Sequence, residues 1–72
     1  MTVGGNDRAR MTVMIRAIYN FKKVENDLRH LGIDVFRVEL SSLGQTFQNY
    51  LYKNFTREEL NEVWGEATRG IN

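Results

Sequence analysis

The chain has no cysteine, no proline and one histidine, His30, in 72 residues. Without cysteine there is neither a disulfide framework nor a thiolate metal site. That fits a reducing compartment, and a cytoplasmic protein is the expectation. No proline-rich or low-complexity linker divides the chain, and its length suits one domain. No run of about 18 apolar residues occurs, so no membrane span is expected. The opening MTVGGNDRAR lacks the apolar stretch of a secretory signal.

Chemistry-bearing motifs are also missing. There is no glycine-rich phosphate loop, no nucleophile elbow and no metal-ligand spacing. An enzyme is therefore not expected, nor a cofactor or resident metal. Glu58, Glu62 and Glu66 are spaced four apart and share a helix face, the spacing at which carboxylates hold a cation. A helical di-metal site also draws on Glu-x-x-His ligands, which are absent, so the glutamates read as a solvated face. His30 has no serine or carboxylate at a recognisable catalytic spacing. It reads as a cation complementing a helix C-terminus.

Charge of one sign is scarce too. The net charge is +1, but residues 1–31 carry six Lys/Arg against three Asp/Glu, and residues 32–72 carry four against six. Such a bipolar chain suits self-association or a partner of mixed charge. It is not the strongly basic domain expected of a nucleic-acid binder.

What the chain has is apolar and aromatic residues, 42% and 11% of the total, an ordinary globular composition. They concentrate in Ile33–Phe55. At about 100° per residue, Ile33, Phe36, Leu40, Leu43, Phe47, Tyr50, Leu51 and Phe55 share one helix face. The steps 36, 40, 43, 47, 50 alternate between four and three, the seam of a packed helix. Val35, Val38 and Tyr52 fall off it. A strand over Ile33–Leu40 is the rival reading, since its β-branched residues alternate with Arg37 and Glu39. Met11–Tyr19 carries the same ambiguity and would be its partner strand. A two-stranded sheet is marginal in water, so the helical reading is preferred for both.

The expected fold is all-α: residues 1–6 a flexible lead, then a single domain over 7–72 with helices near 8–31, 34–54 and 56–69. The alternative is an α+β arrangement, β-α-β-α-α. Asn6 or Asp7 is the expected cap of the first helix, Asp34 of the second and Thr56 of the third, with Thr56 and Glu59 forming a capping box. Gly32 stops the first helix in a left-handed conformation, and Gly70 ends the third. Met11, Met14, Ala17, Ile18, Phe21, Val24, Leu28 and Leu31 form one broad buried face, with Ile15 and Tyr19 left outside it. Gly44, unusual inside a helix, is expected either to allow the close approach of a neighbour or to mark a bend.

Two long helices expose more apolar seam than a short third helix can cover. The expected function is thus a small non-enzymatic interaction module: an adaptor, inhibitor or regulatory subunit acting on a partner protein's surface, with a homodimer as a further expectation. Tyr19, Tyr52 and Trp64 are the candidate anchors, since Tyr and Trp supply large contact area at modest entropy cost. The alternative is a nucleic-acid-associated protein using the basic first helix.

Overall fold

The computed structural model describes residues 3–69. Among these residues there are three helices and no strand: α1 (Gly5–His30), α2 (Arg37–Asn54) and α3 (Arg57–Ala67). The all-α reading holds for both ambiguous segments. The molecule is elongated, 45 × 25 × 17 Å, because α1 alone is about 39 Å long at 1.5 Å per residue.

α1 starts earlier than the sequence suggested. Its N-cap is Gly4 in an extended conformation with no side-chain cap, and Asn6 and Asp7 lie inside the first turn. Val3 drives the earlier start: it is buried in the core, and its N–H donates to a Glu62 carboxylate oxygen at 2.8 Å. Val3 thus packs in the core, and Gly5 and Asn6 lie in α1. Asp7 still sits where a negative charge favours the helix N-terminus.

At the other end Gly32 has φ +78°. Its N–H donates to the Arg29 carbonyl at 3.0 Å, and the Ile33 N–H donates to the Leu28 carbonyl at 2.8 Å. This is the Schellman arrangement, which closes the last carbonyls of a helix and needs the left-handed residue. The chain then turns through Ile33–Phe36, and α2 begins three residues later than expected. Asp34 does not cap it; its backbone carbonyl accepts from the Arg37 N–H at 3.2 Å, and Phe36 occupies the N-cap without a side-chain bond.

Phe55 and Thr56 alone separate α2 from α3. The capping box forms as expected: the Glu59 N–H donates to Thr56 Oγ1 at 3.2 Å, and the Thr56 N–H donates to Glu59 Oε1 at 2.8 Å. Phe55 and Leu60 hold the N′ and N4 positions of a hydrophobic staple around it. Thr68 is the C-cap of α3; Gly70, the expected stop, lies outside the described residues.

α1 and α2 form the antiparallel hairpin, and α3 packs back across the N-terminal half of α1. The core is Val3, Met11, Ile15, Ile18, Leu51, Leu60, Val63 and Ala67. Ile15, expected outside, is fully buried because α3 covers the side of α1 on which it lies. The broad face expected of α1 is divided. Met11 and Ile18 are buried, Met14, Ala17, Phe21 and Leu28 are half-buried, and Val24 and Leu31 are exposed, Leu31 at 74%. Gly44 marks a gap rather than a close approach. A Cβ built there meets no atom within 4 Å, and it borders a cavity of about 240 Å³ between α1 and α2.

Two outcomes follow for stability, both read by urea denaturation. Thr56→Ala removes half of the capping box and is expected to cost about 1 kcal/mol. Gly44→Ala adds a methyl group in open space and removes the flexibility penalty of a mid-helix glycine. It is expected to stabilise the protein by about 0.5–1 kcal/mol; a loss of stability would show the gap to be filled.

Candidate interaction surfaces

The first surface is a cleft where α3 leaves the end of α2. Its volume is about 550 Å³, and its lining residues are Tyr52, Phe55, Arg57, Leu60, Asn61 and Trp64. The capping box fixes the angle at which the helices part, and the Phe55–Leu60 staple positions form the apolar floor. Tyr52, 59% exposed, stands on the α2 side, and the indole of Trp64 stands on the α3 side. Arg57 and Asn61, one helical turn apart, supply polar groups at the edge.

Trp64 does not stand alone. Its indole N–H donates to the Tyr19 hydroxyl at 3.1 Å, and the two rings meet edge to face, centroids 6.1 Å apart. Such aromatic pairs add about 0.5–1.5 kcal/mol beyond their area burial. Of the three anchors suggested by residue type, the structure thus brings Tyr52 and Trp64 to one cleft. Tyr19, half-buried on α1, lies behind Trp64 and holds its ring. Sequence reasoning singled out these three by type alone and missed Arg57 and Asn61. The signal was present in the short Phe55–Thr56 connection, which places the first turn of α3 beside the last turn of α2.

The second surface is the outer side of the α1–α2 hairpin. Met14, Ala17, Phe21, Val24, Leu28 and Leu31 follow steps of three and four along α1, and Leu40, Leu43, Phe47 and Tyr50 do so along α2. Phe21 and Phe47 meet edge to face at 5.5 Å and join the two rows on one side of the hairpin. α3 takes the other side, through Ile15 and Tyr19. None of the ten row residues is fully buried. The row on α1 continues into an open apolar dish formed by Ala9, Arg10, Val13 and Met14.

The charged candidates are engaged inside the chain. Glu62 and Glu66 accept from the Arg8 guanidinium at 2.9 and 2.6 Å. Arg16 donates to the Ala67 carbonyl at 3.1 Å. Glu58, Glu62 and Glu66 are all exposed, as expected of a solvated face, and two of them, Glu62 and Glu66, also clasp α1 to α3. Among the described residues no three His, Cys, Asp or Glu side chains gather in a position to hold a metal ion. His30 is the last residue of α1, exposed, in the turn where a cation complements the helix dipole. No helix among the described residues is long and apolar enough to cross a membrane.

Removal of the Tyr19 hydroxyl tests the support behind the cleft. Tyr19→Phe is expected to cost about 0.5–1.5 kcal/mol in denaturation and to shift the emission of Trp64, the only tryptophan, with helix content unchanged. Unaltered emission would mean that the indole is not held by Tyr19. Comparison with protein-family models, curated proteins and solved structures finds no match for this chain.

Proposed function

We propose that the protein is a small non-enzymatic interaction module, an adaptor, inhibitor or regulatory subunit, that anchors a partner protein in the Tyr52–Trp64 cleft. The observation that carries this reading is the build of the cleft. An exposed tyrosine faces a tryptophan already immobilised by Tyr19, over an apolar floor and beside an arginine. Tyr, Trp and Arg are the residue types in which binding energy concentrates. A ring fixed before binding loses less rotamer entropy when a partner arrives. The floor accepts an apolar or aromatic side chain, and Arg57 and Asn61 suit a carboxylate or backbone carbonyl next to it. Nothing in this mode of action needs bond chemistry: the protein acts by occupying a surface.

The nucleic-acid alternative draws on the basic residues of α1. With Arg8 and Arg16 held by α3, it rests on Arg10, Lys22 and Lys23. Its signature is a DNA or RNA mobility shift that weakens steeply with salt.

A photo-crosslinking residue at position 61 tests the leading reading in cells that make the protein natively. A discrete protein adduct is expected from position 61 and not from position 30, exposed at the far end of α1. Tyr52→Ala, at an exposed site, should leave the circular dichroism unchanged and weaken capture of that protein at least tenfold, a loss of about 1.4 kcal/mol or more. Equal capture by the variant would remove the cleft from the interaction.

A further inference from the structure

We propose that a second copy of this chain docks on the outer face of the α1–α2 hairpin, through a two-fold axis that sets like helices antiparallel. This surface is separate from the cleft: Tyr52 lies on the opposite side of α2 from the row Leu40, Leu43, Phe47 and Tyr50.

The need for a cover is written in the burial pattern. Among the described residues, the buried ones lie at positions 3–18 or 51–67; not one lies between Tyr19 and Tyr50. Over that length the hairpin has apolar rows and no core. Leu43 is 45% exposed, and Tyr50, Val24 and Phe36 are exposed with it. The stripe that faces α2 from α1 begins as Met11 and Ile18 and continues as Lys22 and Glu25, where Glu25 reaches Arg37 at 3.5 Å. The apolar residues have moved one helix position outward, to Phe21, Val24 and Leu28. A seam of threes and fours on a helix is a surface built for another helix.

The flanks of the seam say which helix. On α2 the inner flank, Arg37, Gly44 and Leu51, faces α1 of the same chain. The outer flank, Glu39, Thr46 and Lys53, is exposed and repeats every seventh residue. In an antiparallel pair of α2 helices, Leu40 lies against Tyr50 of the second copy and Leu43 against Phe47. The geometry of such a pair then sets outer flank against outer flank: Glu39 beside Lys53 of the second copy, Thr46 beside Thr46, and Lys53 beside Glu39. A parallel pair would instead set outer flank against inner flank, Glu39 beside Gly44 of the second copy and Thr46 beside Leu51, where α1 already packs. The occupied inner flank therefore sets the direction, and the Glu39–Lys53 pairing fits a second copy, since a two-fold contact must be self-complementary.

The same axis serves α1. Phe21 contacts Phe47, so the middle of the α1 row is level with the middle of the α2 row. An axis crossing α1 between Phe21 and Val24 places Met14 by Leu31 of the second copy and Ala17 by Leu28. On the outer flank it sets Asn20 beside Asp27, a pair able to hydrogen-bond. Two rows on two helices, each with its own flank, agree on one axis, and the result is a two-layer bundle of four helices with α3 of each copy on the outside.

Sedimentation equilibrium of the whole chain is the test. Twice the 8.4 kDa chain mass is expected at high micromolar concentration. Leu43→Arg, at an exposed site, should yield the single-chain mass with unchanged circular dichroism. Glu39→Lys and Lys53→Glu should each weaken association about tenfold at low salt, because each reversal affects two symmetric pairs. The double reversal should restore it to within about threefold, the mark of a direct pair. A single-chain mass up to about 1 mM overturns the proposal, as does a Leu43→Arg dimer or a double variant weaker than either single one. A monomer that still gives the position-61 adduct overturns the dimer and leaves the cleft reading standing. A dimer without that adduct does the reverse.

Discussion

Met11, Ile15 and Ile18 form the stripe on which the rest of this molecule depends. α2 reaches it through Leu51, and α3 reaches it through Leu60, Val63 and Ala67. α1 is the shared element on which the other two helices pack. Each fully buried aliphatic side chain contributes roughly 1.5–3 kcal/mol, and fixing the backbone costs about 1–2 kcal/mol per residue. Eight buried residues are a small core for three helices. The remaining order comes from local devices: the capping box at Thr56, the Schellman turn at Gly32, and the clasp of Arg8 on Glu62 and Glu66. The clasp is exposed and adds little energy by itself. It fixes where α3 crosses α1, and with it the position of Trp64.

The devices with a local cause were legible in the sequence. Thr56 with Glu59, and Gly32 after a helical run, each name a geometry that their own chemistry enforces. The all-α class was legible from the four-and-three steps of Ile33–Phe55. The errors arose where tertiary contacts decide. Asn6, Asp7 and Asp34 are sound caps by residue type, yet the helix starts were set by the burial of Val3 and by the turn at Ile33–Phe36. Ile15 fell off the assumed face because α1 has two faces, one for α3 and one for α2, and a single periodicity cannot express both. Gly44 had no local signature to separate a close contact from a gap. At the cleft, Tyr52 and Trp64 were found by residue type, whereas their meeting depends on the angle between α2 and α3, which no pattern within either helix contains.

The two surfaces differ in chemistry. The cleft is aromatic, edged with polar groups and backed by a fixed hydrogen bond, features suited to reading one side chain of another protein. The outer hairpin face is apolar, long and repeating, with Glu39 and Lys53 at opposite ends of its α2 rim, features suited to continuous helix packing. They lie on opposite sides of α2. A pair of chains joined at the second surface would carry two clefts turned away from each other, an arrangement in which weak single engagements reinforce one another when the targets are themselves paired.

The absence of buried residues between Tyr19 and Tyr50 has a consequence for motion. Local opening costs least where few apolar contacts must be broken. The hairpin end around Gly32 is therefore expected to open more often than the end clasped by α3. The molecule has a firm end and a soft end, and it keeps its helical form at the soft end mainly through bonds within each helix. Such a segment has few packing contacts to hold one shape, so the long face of the hairpin has room to adjust where the clasped end has little.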